Sequence, residues 1–398
     1  MHASPPRPHL AGWILVAILA VSGLVSAGLG SLRLAHGAYP SGSDFHLRWV
    51  EQRNVAHRQN PGTLSADAVP PYVAPDQIED GLLVSTSYPP YAYITQMPFV
   101  WIVPWPAARL VFLAWTLASL GLISFWAYAQ FCSREAVIRA IAALLPWAVW
   151  PTSYCLSNGQ YAILLTALLA GAFLLLERGS EAWAGVAVAF ALLKPTLILP
   201  FLVIFLLDSR WLLLLLAATI NIAATFAAWA LTRCDPLTLL RQAQAHVWHN
   251  RGSTQNLVTQ LEVQLPGFSA GTQTGITLAL GLVGAALIWL ARRLGCGLVT
   301  QAGIAAVTAL SWTYRKEYDA ILILFLLVAL LRVALATGRG VAWLCLALMA
   351  APLLAPFRLA DHNSPLLQGY ELFTWLAAIA CCIAWDRPAD FPSRRESA

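Results

Sequence analysis

Charge is what this chain has least of. Only 11% of its 398 residues are Asp, Glu, Lys or Arg, against roughly a quarter in a typical soluble domain. That excludes a water-solvated globular surface. The seven cysteines form no CxxC and no His/Cys cluster with metal-ligand spacing, and several, such as Cys381 and Cys382, lie inside apolar runs. A zinc module or a dithiol redox site is excluded, and no metal is expected as a ligand of the thiols. There is no Walker A loop and no GxGxxG after a strand, so nothing points to a nucleotide cofactor. A basic block interleaved with aromatics is also missing. The net charge of +5 therefore reads as the Lys/Arg bias of cytoplasmic loops and tails rather than a nucleic-acid surface. No soluble domain, low-complexity segment, tandem repeat or pair of matching halves is visible.

What the chain does have is apolar length. Hydrophobic residues make up 59% of it, gathered into runs near 10–34, 107–131, 137–153, 159–177, 211–231, 273–291, 298–313, 320–336, 341–357 and 366–385. A bilayer span takes about 20 residues, and in lipid such runs become helices because each backbone polar group needs an internal partner. The expected fold is an all-α polytopic membrane protein, one membrane domain over 1–398. Residues 10–34 exceed the about 7–15 apolar residues of a signal-peptide core and read as an uncleaved first helix. Many of the 17 tryptophans, such as Trp101, Trp105, Trp147 and Trp150, sit near run ends, where an interfacial belt is expected.

Arg134, Arg139, Arg178, Arg210, Arg292, Arg293, Arg339, Arg387, Arg394 and Arg395 fall on one face if the spans alternate. The positive-inside rule makes that face cytoplasmic. Alternation holds only if 182–207 enters and leaves on the same side. Lys194-Pro195 interrupts this run, and proline disfavours helix in the residue before it. Two half-length helices, 182–193 and 195–207, are expected, with Lys194 at the turn. Two large loops then fall outside, 36–106 and 232–272. The first carries an amphipathic piece at 44–58, suited to lie in the interface. It continues through an acidic stretch (Asp67, Asp76, Glu79, Asp80) to an apolar run at 91–104, expected to be a re-entrant or interfacial helix.

On this topology Lys194, Arg251, Arg315, Lys316 and Arg358 all face outward, against the usual bias. A cation cluster there suits an anionic ligand at the membrane surface, and a lipid phosphate is the simplest. Displacing a lipid phosphate needs cations on the leaving group and a carboxylate to take the proton of the attacking hydroxyl. Asp44, just beyond the first span, is a candidate carboxylate. Each residue also has a plainer reading. Asp44 would make a good N-cap. Lys194 could snorkel from a helix end. Arg315 and Lys316 could pair with Glu317 and Asp319, and Gln160 could be an ordinary helix-end amide. His46, His249, Asn256 and Tyr314 are further candidates for substrate contact, and the acidic stretch leaves a divalent ion open.

The order of elements resembles family 87 of the GT-C glycosyltransferases, the polyprenyl-phosphate-mannose-dependent mannosyltransferases. The matching pieces are Ser43-Asp44-Phe45 with Asn60-Pro61, Tyr88-Pro89-Pro90, Asn158-Gly159-Gln160, Ala184-Gly185 through Leu193-Lys194-Pro195-Thr196, and Ser311-Trp312 with Tyr314. The resemblance implies a GT-C-like fold of about ten spans plus the two half-helices. It implies an inverting transfer of mannose or another hexose or pentose from a polyprenyl-phosphate donor to a hydroxyl of an envelope glycolipid or glycan. Asp44 would be the base, and Lys194, with Arg251, Arg315 and Lys316, would hold the donor phosphate. The protein would sit in the cell's inner (plasma) membrane with its site on the outer, periplasmic face. A lipid-linked-sugar flippase, with no bond chemistry, is the alternative from another class.

Overall fold

Apolar runs that cannot hydrogen-bond to lipid coil on themselves, and the computed structural model shows them doing so. It describes residues 10–36, 43–62, 78–79, 82–83, 88–249, 257–258, 270–312, 316–354 and 364–386. The helices are α1 (Leu10–His36), α2 (Ser43–Ala56), α3 (Ala92–Thr95), α4 (Trp105–Ala129), α5 (Ala136–Ala148), α6 (Trp150–Asn158), α7 (Ala162–Glu177), α8 (Glu181–Ala191), α9 (Pro195–Leu207), α10 (Trp211–Thr232), α11 (Pro236–His249), α12 (Ala270–Arg293), α13 (Leu298–Trp312), α14 (Leu324–Thr337), α15 (Gly340–Leu354) and α16 (Pro365–Trp385). A 3-10 helix, Glu317–Ile323, leads into α14. Among the described residues the only strands are the two-residue pair Ile78–Glu79 and Leu82–Leu83. The protein is an all-α, multi-pass membrane protein.

Among the described residues six helices are long and apolar enough to cross a membrane, or seven if α5 and α6 form one bent span. The expected spans 159–177, 298–313 and 341–357 are shorter helices, of 16, 15 and 15 residues. At 1.5 Å per residue these cover about 23–24 Å, less than the roughly 30 Å hydrocarbon core. The expected span 137–153 falls on two helices, α5 and α6, bent by 42° at their junction. Its sequence carries the cause: Pro146 lies inside α5 and Pro151 in the first turn of α6, each removing a backbone donor.

The centre of the bundle is α13 and the 3-10/α14 segment. Every residue from Val299 to Leu310 is buried, as is every residue from Tyr318 to Leu331. A helix apolar all round belongs in such a position. The two pack closely because Gly303 has no side chain: a Cβ there would lie 2.8 Å from the Leu326 Cα. Small residues permit this approach between membrane helices. By contrast α1 and α12 present long rows of exposed leucine, valine and isoleucine, including Leu24, Val25, Leu29, Leu278, Leu282 and Val283, as lipid-facing helices do.

The broken segment forms as expected. α8 and α9 have 11 and 13 residues, and Lys194 is the residue ahead of Pro195, with extended-side dihedrals (φ −117, ψ 84) that fit the residue before a proline. Neighbours pin the turn between them. Tyr91 donates its hydroxyl proton to the Leu192 carbonyl at 3.1 Å, and Trp312 donates its indole N–H to the Thr196 carbonyl at 2.8 Å.

Two expectations for the first loop fail. The run 91–104 is not a re-entrant or interfacial helix. Only Ala92–Thr95 is helical, followed by turns, and Tyr93, Thr95, Gln96, Phe99 and Val100 are buried against protein. Pro98 and Pro104 punctuate the run and stop the helix. Nor does 44–58 lie in the interface on an apolar face. α2 buries Phe45, Arg48, Val50, Glu51, Gln52 and Val55, so charged and amide groups share the face turned to the bundle. That face meets aromatic and apolar neighbours through Phe45 and Val55 and polar ones through Arg48 and Gln52.

Candidate active site

One end of the bundle gathers the polar residues. Asp44 stands in the first turn of α2, where the helix dipole favours a carboxylate. It is therefore not the N-cap, and its side chain is used elsewhere: the Gln160 amide donates to its Oδ2. Gln160 reaches Asp44 because α6 ends at Gly159 in the left-handed conformation (φ 69), the usual helix-terminating device. Gly159 has a second reason to be glycine. A Cβ there would lie 2.4 Å from the Phe45 Cβ, so α2 can dock only against a bare backbone. Gly159→Ala should therefore cost about 1–3 kcal/mol through strain and overpacking and displace Asp44 from Gln160. Purified Gly159→Ala protein should melt at a lower temperature and lose sugar transfer. An unchanged melting point would show that the α2–α6 contact is not tight.

Lys194 is engaged rather than snorkelling. Its Nζ lies 2.9 Å from Asp319 Oδ1 and 4.8 Å above the Tyr318 ring. Asp319 is only 1% exposed and accepts a second bond, from the Lys316 backbone N–H to Oδ2 at 2.9 Å. A buried carboxylate so placed anchors two things at once: the start of the 3-10 helix and the turn between α8 and α9. The 3-10 run of seven residues exceeds the usual three or four.

Lys316 joins the same electrostatic group. Burial lowers its ammonium's proton affinity, while Asp44, Glu317 and Asp319 raise it and Lys194 lowers it further. Of the residues expected from sequence, then, Asp44, Gln160, Lys194 and Lys316 come together. His46 goes elsewhere: its ring is edge-on to Trp105 at 4.8 Å and tilted against Trp49 at 5.8 Å, and burial lowers its pKa. Arg251, Asn256, Tyr314, Arg315 and Arg358 lie outside the described residues, as do Asp67, Asp76 and Asp80. His249 ends α11.

Behind Asp44 lies a layer that sequence reasoning missed. Arg48 and Glu51 form a buried ion pair at 2.8 Å. Arg48 sits 4.5 Å over the Tyr88 ring, and Tyr88 meets Tyr161 edge-on at 5.9 Å. The Tyr161 hydroxyl donates to Gln96 Oε1 at 3.0 Å, and Gln52 donates to the Tyr93 carbonyl at 2.8 Å. Burial raises the Glu51 carboxyl's pKa, against Arg48, which lowers it. Asp319 was visible only as a partner for nearby cations. The signal for the rest was there in the spacing: Asp44, Arg48, Glu51 and Gln52 fall at i, i+4, i+7 and i+8, one face of a helix. Among the described residues no group of three or more His, Cys, Asp or Glu side chains is placed to hold a metal ion.

The opposite end of the bundle has its own polar contacts. Arg292 pairs with Asp208, and Asp386 accepts from the Gly297 N–H at 2.9 Å and the Thr300 hydroxyl at 2.6 Å. They fasten helices and bring no further candidate residue to the Asp44 cluster.

No curated protein and no solved structure matches the chain. A family model does match residues 86–338, well over half its length, and that stretch contains Gln160, Lys194, Lys316 and Asp319 while Asp44 precedes it. The chain belongs to glycosyltransferase family 87 and is a membrane glycosyltransferase.

Proposed function

We propose that this glycosyltransferase takes its sugar, mannose or another hexose or pentose, from a polyprenyl-phosphate donor. It passes that sugar to a hydroxyl of an envelope glycolipid or glycan, with inversion. The acceptor oxygen attacks the anomeric carbon, the bond from that carbon to the phosphate oxygen breaks, and the electron pair leaves on the polyprenyl phosphate. Asp44 takes the acceptor proton. Lys194 and Lys316 offset the charge that grows on the departing phosphate. The observation that carries the reading is the convergence of Asp44, Gln160, Lys194, Asp319 and Lys316 from four separate segments. Burying charge is expensive unless it is paired, and here it is concentrated at one end of a lipid-embedded bundle. Intramembrane and recessed ionisable groups of this kind mark substrate sites.

The test is direct. Purified protein in nanodiscs is given polyprenyl-phosphate sugars and envelope lipids, and released polyprenyl phosphate is followed with product. Transfer with inverted anomeric configuration supports the reading. Retention of configuration, or no consumption of any polyprenyl-phosphate donor, sinks it, and transbilayer movement of intact donor would favour a carrier.

The proposed location is the plasma membrane with the Asp44 end outward. Single cysteines in the 36–106 and 232–272 loops of a cysteine-free variant should label with an impermeant thiol reagent in intact cells. Labelling only after lysis would turn the protein over and put the site on the cytoplasmic face.

A further inference from the structure

Tyr88 holds an unusual position. It is 5% exposed, its hydroxyl makes no hydrogen bond among the described residues, and that oxygen is not one of the buried polar atoms left without a partner, so it is not sealed off from a ligand. The ring itself is fixed. The Arg48 guanidinium covers one face at 4.5 Å, Tyr161 abuts it edge-on at 5.9 Å, and Arg48 is held in turn by Glu51 at 2.8 Å. The clamp fixes the direction of a donor that no described residue engages.

The phenol's surroundings say what it faces. Burial raises its pKa, Lys194 and Arg48 lower it, and Asp44 and Asp319 raise it. All four charges act on the phenol, and three of them, Asp44, Lys194 and Asp319, belong to the candidate site. Burial keeps the phenol protonated, so it is a hydrogen-bond donor throughout the neutral range.

We propose that Tyr88 contacts substrate, its hydroxyl donating a hydrogen bond to an oxygen of the donor's phosphate beside Lys194. This rests on the polyprenyl-phosphate reading above and adds a neutral donor to its cations. A phosphate oxygen is preferred over a sugar hydroxyl because it gains negative charge as the glycosidic bond breaks, and a fixed donor aimed there stabilises the transition state more than the ground state.

Tyr88→Phe keeps the ring, the cation–π contact and the edge-on contact and removes only the hydroxyl. Hydrogen bonds to charged groups are worth enough that kcat for transfer should fall about 10- to 100-fold. Inhibition by the product, polyprenyl phosphate, should weaken as well, with KM for the acceptor unchanged and the melting temperature close to wild type. If Tyr88→Phe folds poorly, Tyr88→His, which keeps a ring and a donor, takes its place and should retain part of the product inhibition. Wild-type kcat and product inhibition in Tyr88→Phe would overturn the proposal, as would a change confined to the acceptor KM. The functional reading fails separately: if the wild-type protein uses no polyprenyl-phosphate donor, both ideas fall, whereas an active wild type with an indifferent Tyr88→Phe sinks this one alone.

Discussion

Asp44→Asn should insert, fold and bind donor, yet transfer almost no sugar. The substitution is nearly isosteric, and the Asn carbonyl can still accept the hydrogen bond that Gln160 gives to Oδ2. What disappears is a charged carboxylate able to hold a proton. Loss of a general base costs about 100- to 10,000-fold in rate. A purely structural carboxylate in the first turn of α2 would instead be worth about 0.3–1 kcal/mol through the helix dipole. The two roles therefore separate by orders of magnitude in kcat. They separate again in Asp44→Glu, which keeps the proton acceptor but lengthens the arm by one methylene, and should recover some transfer while disturbing the Gln160 contact. Single-turnover transfer by purified variants decides it. Near wild-type turnover in Asp44→Asn would remove Asp44 from the mechanism.

The second large effect is expected at the Lys194–Asp319 pair, and it should appear in stability first. Removing one member of a buried ion pair leaves the other charge stranded and typically costs about 3–5 kcal/mol. Lys194→Met leaves the Asp319 carboxylate with the Lys316 N–H as its remaining contact from the pair of bonds described above. Asp319→Asn leaves the Lys194 ammonium over the Tyr318 ring. Each single variant should melt well below wild type. The double variant, Lys194→Met with Asp319→Asn, removes both charges and should be less damaged than the two losses added, a coupling of roughly 0.5–3 kcal/mol. Sugar transfer should not recover with it, because the cation proposed for the donor phosphate is still missing. Additive losses in stability would show that the pair is not coupled. Transfer restored in the double variant would reduce Lys194 to a strut between α9 and the 3-10 helix.

Much of this arrangement could be read from the residues in order. Pro195 announces the break between α8 and α9, because a proline acts on its own neighbours and no distant contact is needed to see it. The long apolar runs announce the helices for the same reason. The kink between α5 and α6 was equally local, written in Pro146 and Pro151, but hidden by the apolar residues around them. The site was legible in its members and less so in its pairings. Asp44 and Lys194 stand out as polar groups beside apolar runs. That Asp44 meets Gln160, and Lys194 meets Asp319, depends on how helices far apart in sequence pack, which no short window contains. α2 misled because its mixture of apolar and charged residues suits a lipid interface as well as a polar cleft, and only the docking partner distinguishes them. The buried identities Arg48, Glu51 and Tyr88 became meaningful once their neighbours were known.

The span of these pairings has a consequence for how the enzyme comes into being. Asp44 lies 116 residues from Gln160, and Lys194 lies 125 residues from Asp319. Ribosomes add about 5–20 residues per second, so Asp44 waits several seconds or more for its amide partner, and Lys194 waits about as long for Asp319. Until then α2 has only its earlier partners, such as Tyr88, Tyr93 and Val103. A nascent or truncated chain lacking the 3-10 segment would therefore be silent toward its substrates, because the reacting groups are held by contacts that close only after most of the chain has been made.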